Sequence, residues 1–153
     1  MMNSLLLQHL TQEHVAVAEF LALLTQEAAA MTQGRFTTLP ELAERKSELA
    51  DKISRLGLER GNEQIRLGYK ADRGGTETAV AAGAPALQNA WLKLRECAAQ
   101  AHQLNHSNGV MIHTHLDFTR QAISFLKASG KPLYGPDGAH KAGVGSGKSL
   151  ASG

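Results

Sequence analysis

From Leu7 to Met31 the chain places Leu7, Leu10, His14, Val17, Leu21, Leu24, Ala28 and Met31 at alternating steps of three and four. A stripe of that period stays on one face only if the segment is an α-helix that coils slightly around a neighbour. A strand, with its period of two, would scatter these side chains over both faces. The seam therefore commits the first segment to a long helix that needs helical company. Asn3 or Ser4 can cap its start, and Gly34 lies just past its end. His14 falls on the seam with no second ligand fixed beside it, and reads as a half-buried register residue.

A second helix is expected over 39–69. Thr38-Leu39-Pro40-Glu41 spells a capping box with Pro in the first turn, where its missing N–H costs nothing. Leu42, Leu49, Ile53 and Leu56 continue an apolar stripe. Glu41–Arg45, Glu48–Lys52 and Asp51–Arg55 form i,i+4 pairs on the wet side. Gly57, Gly61 and Gly68 weaken the latter part. Residues 71–84, rich in Ala, Gly and Thr and broken by Gly74-Gly75, read as a connector. Pro85 then opens a third helix over 85–129, closed by Gly130 and Pro132 and about 65 Å long at helical rise. The expected fold is all-α: an elongated antiparallel bundle of three long, coiled-coil-like helices (4–32, 39–69, 85–129) in residues 1–130, followed by a flexible Gly/Ser-rich tail, 131–153.

On the third helix Leu87, Leu94, Ala98, Ala101, Asn105, Ile112, Leu116 and Ile123 share one face. Asn105 interrupts it with an amide that costs about 1–3 kcal/mol if it finds no partner. Gly109, mid-helix, costs about 1 kcal/mol relative to Ala. Two such costs within five residues point to a local requirement. The expectation is a neighbouring helix approaching closely at Gly109, with Asn105 or Asn108 bonding its backbone.

Composition narrows the function classes. Acidic and basic residues balance, thirteen each, up to Gly130, so no basic face of the kind nucleic acid demands is visible. The single Cys97 allows no intramolecular disulfide, fits a reducing compartment and packs as a small hydrophobe. No apolar run is expected to reach the ~20 residues that span a bilayer, and MMNSLLLQHL lacks the basic start and long apolar core of a secretory signal. A cytoplasmic protein without membrane insertion is expected.

Two constellations could carry chemistry. AGVGSGKS, Ala142–Ser149, resembles a phosphate-binding loop, in which Lys148 would reach the outer phosphates and Ser149 would hold Mg²⁺. That loop needs a buried strand before it and a helix after it. Here KPLYGPDGAHK precedes it and four residues follow, and six of the 23 residues from Lys131 onward are Gly. It reads as tail. His102, His106 and His113 crowd one side of the third helix, and His102 and His106 one turn apart could chelate a metal. Glu96 and Asp117 point elsewhere on the wheel, no ligand set is complete, and a solvated histidine patch is expected. Neither cofactor, metal nor catalysis is expected.

NAWLKL, then NHSNGVMI from Asn105 to Ile112, then a Gly-Lys-Pro-Leu-Tyr-Gly turn resemble the FlgN family of flagellar export chaperones. The matching residues are Asn105, Asn108, Gly109, Ile112, Tyr134 and Gly135. The Leu-rich first helix is similar to that family too, as is the E-R-K-S-E-L stretch of the helix over 39–69, so the resemblance covers residues 4 to about 138. It implies a cytoplasmic chaperone of the flagellar type III export system. Such a protein binds unassembled hook-associated proteins of the hook–filament junction, prevents their premature association and passes them to the export gate. It also implies that the C-terminal helix and the segment beyond it engage the substrate, and that Tyr134 docks at the gate. Leu116, Ile123, Leu126 and Phe125 are candidate contacts on the third helix, although each taken singly reads as packing on the first two helices. Phe118 and Phe125 lie opposite the main stripe and are the better partner-facing residues. Phe118, Phe125, Leu126, Leu133 and Tyr134 are thus the candidate partner-binding residues. Homodimerisation is left open. The rival readings are a coiled-coil interaction protein with other partners and a nucleotide hydrolase using Lys148 and Ser149.

Overall fold

The computed structural model describes residues 4–130, which form four α-helices and no strand. They are α1 (Ser4–Thr32), α2 (Leu39–Arg66), α3 (Arg73–Ala81) and α4 (Pro85–Ala128), with a short 3-10 turn, Phe36–Thr38, leading into α2. The chain divides into a compact unit ending at Asn108 and a second beginning at Gly109, so that α4 contributes to both.

α1 and α2 end by one device. Gly34 and Gly68 take φ of +74° and +91°, and the two amides that follow the helix turn back onto its last carbonyls. In α2, Gly68 N–H reaches Ile65 O at 2.9 Å and Tyr69 N–H reaches Gln64 O at 2.8 Å, a Schellman closure. α2 therefore stops at Arg66, short of 69. The capping box expected at Thr38 is absent: Thr38 is already helical, and its hydroxyl donates backward to Arg35 O at 2.8 Å. Continuation from the 3-10 turn takes the place of a cap.

The expected connector holds a helix, so there are four helices and not three. Asp72 caps α3, its Oδ1 accepting from Gly75 N–H at 2.7 Å. Gly75 is no breaker: a Cβ there would lie 1.9 Å from Lys70 O, so glycine lets α3 fold back on the preceding turn.

The first unit's core joins Leu6, Leu10, Val17 and Leu24 of α1 to Ala79 and Val80 of α3 and Leu87, Leu94, Cys97 and Ala101 of α4. A second cluster packs Leu23 and Ala30 of α1 on Leu42 of α2. The seam of α1 differs from the expected one by half its members. Leu10, Val17, Leu24 and Met31 are buried, but their buried companions include Leu6, Glu13 and Glu27, while His14 is half-buried. The two glutamates occupy heptad positions in the core because α2 brings them cations. Arg60 Nε bonds Glu13, and Lys46 Nζ lies 3.3 Å from Glu27. As the α1 partner rises from 13 to 27, the α2 partner falls from 60 to 46, so these helices run antiparallel. α1 is long and apolar enough to cross a membrane by length and composition alone, contrary to expectation. Here its apolar face packs on the other helices and its two buried carboxylates are ion-paired.

Candidate partner-binding surface

The first part of α4 is stitched to the other helices by two polar layers. In one, Arg60 bonds Glu13, donates to Gln64 Oε1 at 2.7 Å and to Thr76 Oγ1 at 2.8 Å, and lies 5.7 Å from the centre of the Trp91 ring. All four helices meet at that guanidinium. In the other, Lys46 bridges Glu27 and Asn105 Oδ1, the latter at 3.0 Å. Asn108, fully buried, donates from Nδ2 to Glu27 Oε1 at 3.0 Å and to Leu24 O at 2.8 Å. The layers are two heptads apart on α1, α2 and α4 alike: Glu13 to Glu27, Arg60 to Lys46, Trp91 to Asn105.

Asn105 and Asn108 thus bracket one ion pair, Asn105 exposed and accepting from the lysine, Asn108 buried and donating to the carboxylate. Each amide presents the polarity its partner lacks. Gly109 is different. A Cβ there would meet no atom within 4 Å among the described residues, so the close helix approach expected at this glycine is not found.

The buried side of α4 is also offset from the expected face. Leu87, Leu94, Cys97, Ala101 and Asn108 are buried, with Ala90, Trp91 and Leu104 half-buried, whereas Ala98 and Asn105 are exposed. Steps of three and four from Asn108 lead on to Met111, His115, Phe118, Ala122 and Phe125. Phe118 and Phe125 thus keep the heptad count, and at 100° per residue they lie about 80° and 100° to one side of Asn108. Beyond Asn108 that seam loses its cover. Phe118 is 69% and Phe125 70% exposed, and Met111, Leu116 and Ile123 are exposed as well, so these last two do not serve as core. Leu126 is half-buried. At 100° per residue these side chains with Ile112 sweep roughly half the circumference of the helix. His113, Asp117, Arg120, Gln121, Ser124 and Lys127 fill the opposite half. An apolar half-face without a carboxylate, lysine or arginine is suited to cover another amphipathic helix. Leu133 and Tyr134, and Lys148 and Ser149, lie outside the described residues.

The remaining chemical candidates are occupied otherwise. His113 Nε2 lies 3.4 Å from Asp117 Oδ2, so Asp117 faces His113 and does not point away from it. No group of three His, Cys, Asp or Glu side chains that could hold a metal occurs among the described residues, and His102 and His106 gain no third ligand there. Burial pushes the Cys97 thiol above its ordinary value, away from thiolate chemistry. At the end of α2, Arg66 hydrogen-bonds Glu63 and holds its carboxyl below the ordinary range, a local pair that anchors a buried carboxylate. Sequence reasoning misses the polar layers, though Glu13 and Glu27 on α1 and Lys46 and Arg60 on α2 are spaced alike by two heptads.

A family model described as FlgN protein matches residues 1–142. The flagella synthesis protein FlgN of Yersinia enterocolitica is 36% identical over 55 residues, which cover 35% of this chain and 37% of that protein. The aligned stretch thus spans little more than a third of the relative. No solved structure matches the chain.

Proposed function

Since the chain belongs to the FlgN family, we propose that it is a cytoplasmic chaperone of flagellar assembly. It binds unassembled hook-associated proteins of the hook–filament junction, prevents their premature association and delivers them to the type III export gate. The observation that carries this reading is the uncovered apolar half-face of α4 from Met111 to Leu126. Subunits that polymerise through amphipathic helices expose apolar stripes before assembly, and a complementary stripe can cover one of them. Phe118 and Phe125 are the anchors, since exposed aromatics gain most from burial against a partner. Leu126 and Leu133 extend the contact, and Tyr134 docks at the gate. The activity is binding without catalysis, and Lys148 and Ser149 take no nucleotide.

Isothermal titration calorimetry with a purified hook-associated protein tests the reading, with Mg-ATP titrated separately. One-to-one binding that Phe118→Ser with Phe125→Ser weakens by two orders of magnitude or more is expected, at about 1.4 kcal/mol per tenfold. No heat is expected from ATP. Binding of the hook-associated protein that ignores both substitutions would move the contact off α4, and ATP binding lost in Lys148→Ala would replace the chaperone by a nucleotide-dependent enzyme.

A further inference from the structure

The first unit carries a groove that the open face of α4 beyond Asn108 does not use. A cleft of about 470 Å³ opens beside Trp91 and runs into another of about 350 Å³, the two sharing Val17, Ile53, Ala98 and His102. It stays open because Ala50 and Ser54 of α2 and Ala98 and Ala101 of α4 are too small to fill the space. Trp91 lines one end and Asn105 the other, fourteen residues apart on α4, or about 21 Å. That length accommodates close to four turns of a further helix.

The Trp91 end is short of negative charge. Arg60, Arg73 and Arg95 line it. Glu13 is committed to Arg60, and one carboxylate, Glu77, serves both Arg73 at 3.1 Å and Arg95 at 4.0 Å. Three guanidiniums thus face two carboxylates. The centre of the Trp91 ring lies 5.7 Å from Arg60 and 6.0 Å from Arg95, and its buried Nε1–H has no acceptor among the described residues. Such a setting attracts a carboxylate and holds an apolar side chain beside it.

We propose that this groove receives an amphipathic helix of a partner protein, with its apolar face on Val17 and Ile53 and an acidic side chain at Arg73 and Arg95. The site is distinct in sequence from the α4 face beyond Asn108, and it gives the protein a second, charge-selective contact.

Trp91 is the chain's single tryptophan, so its emission reports on the groove directly. The probe is a blocked fourteen-residue peptide with Leu at i, i+4, i+7 and i+11 and two Glu in its first turn, titrated into the full chain. A saturable change in Trp91 emission is expected, weakened roughly tenfold when the peptide's Glu become Gln and by a similar factor in Arg73→Gln with Arg95→Gln. Both arginine side chains reach solvent, and thermal melts followed by circular dichroism should show those variants folded as the parent. Ala98→Glu, at an exposed position in the groove, should abolish the response. The absence of any saturable change up to about 1 mM peptide, where binding would be worth no more than ~4 kcal/mol, would overturn the proposal. So would equal binding of the Gln peptide, or emission that tracks protein concentration without peptide, which would give the groove to a second copy of the chain.

Discussion

α4 is one helix with two histories. From Pro85 to Asn108 its seam is covered, down to fully buried Leu87 and Asn108, and from Gly109 to Ala128 the same count of threes and fours runs on in the open. The covered half is the less aromatic at its centre, relying on Leu94, Cys97 and Ala101; the open half presents Phe118 and Phe125. A heptad pattern states what a face is able to bury. It does not state whether the chain supplies the cover, and the richer apolar face is the one left waiting.

The contrast can be broken most violently from outside α4. Arg60→Met leaves Glu13 buried without its cation and releases the Trp91 ring, so urea unfolding should lose about 3–5 kcal/mol, much of it regained by adding Glu13→Leu. Within α4, truncation on each side gives the sharpest test. Leu94→Ala should cost about 2–5 kcal/mol in the same assay. Phe118→Ala, although it removes more carbon, should stay within about 0.5 kcal/mol, because the ring touches mostly water. Asn108→Ala should cost about 1–3 kcal/mol by removing the buried donor shared by Leu24 O and Glu27, which keeps Lys46. Smallest of all, Gly109→Ala should stabilise by up to about 1 kcal/mol, since an added methyl meets nothing and removes backbone freedom. A loss there would mean that the glycine is needed by a contact the free chain does not make.

Helical class, the length of α1 and the start of α4 at Pro85 were legible, because seams, prolines and closing glycines are local signals. The other half of the α1 seam was not. Glu13 and Glu27 resemble solvated charges until Arg60 and Lys46, 47 and 19 residues away, are placed beside them. Of the two amides expected to bond a neighbouring backbone, Asn108 does so at Leu24 O, whereas Asn105, placed on the apolar face by the wheel, is exposed and answers to a lysine of α2. α3 was hidden by a glycine pair that reads as a break, whereas Gly75 is there for its lack of a side chain against Lys70. That Phe118 and Phe125 stand off the main stripe could be read from a helical wheel, but that the chain leaves them exposed could not.

The two charged layers have a consequence for symmetry. Two helices joined only by leucines are nearly unchanged after one slides past the other by seven residues, so their alignment is almost degenerate. Interpolating between Glu13–Arg60 and Glu27–Lys46 puts Phe20 level with Ile53. A slide of one heptad would therefore push a carboxylate onto Ile53 and leave both cations facing hydrocarbon, a penalty of several kcal/mol per buried ion. The two pairs act as the teeth of a key: a slide of one heptad breaks both, and a slide of two keeps one pair and strands the other carboxylate and the other cation.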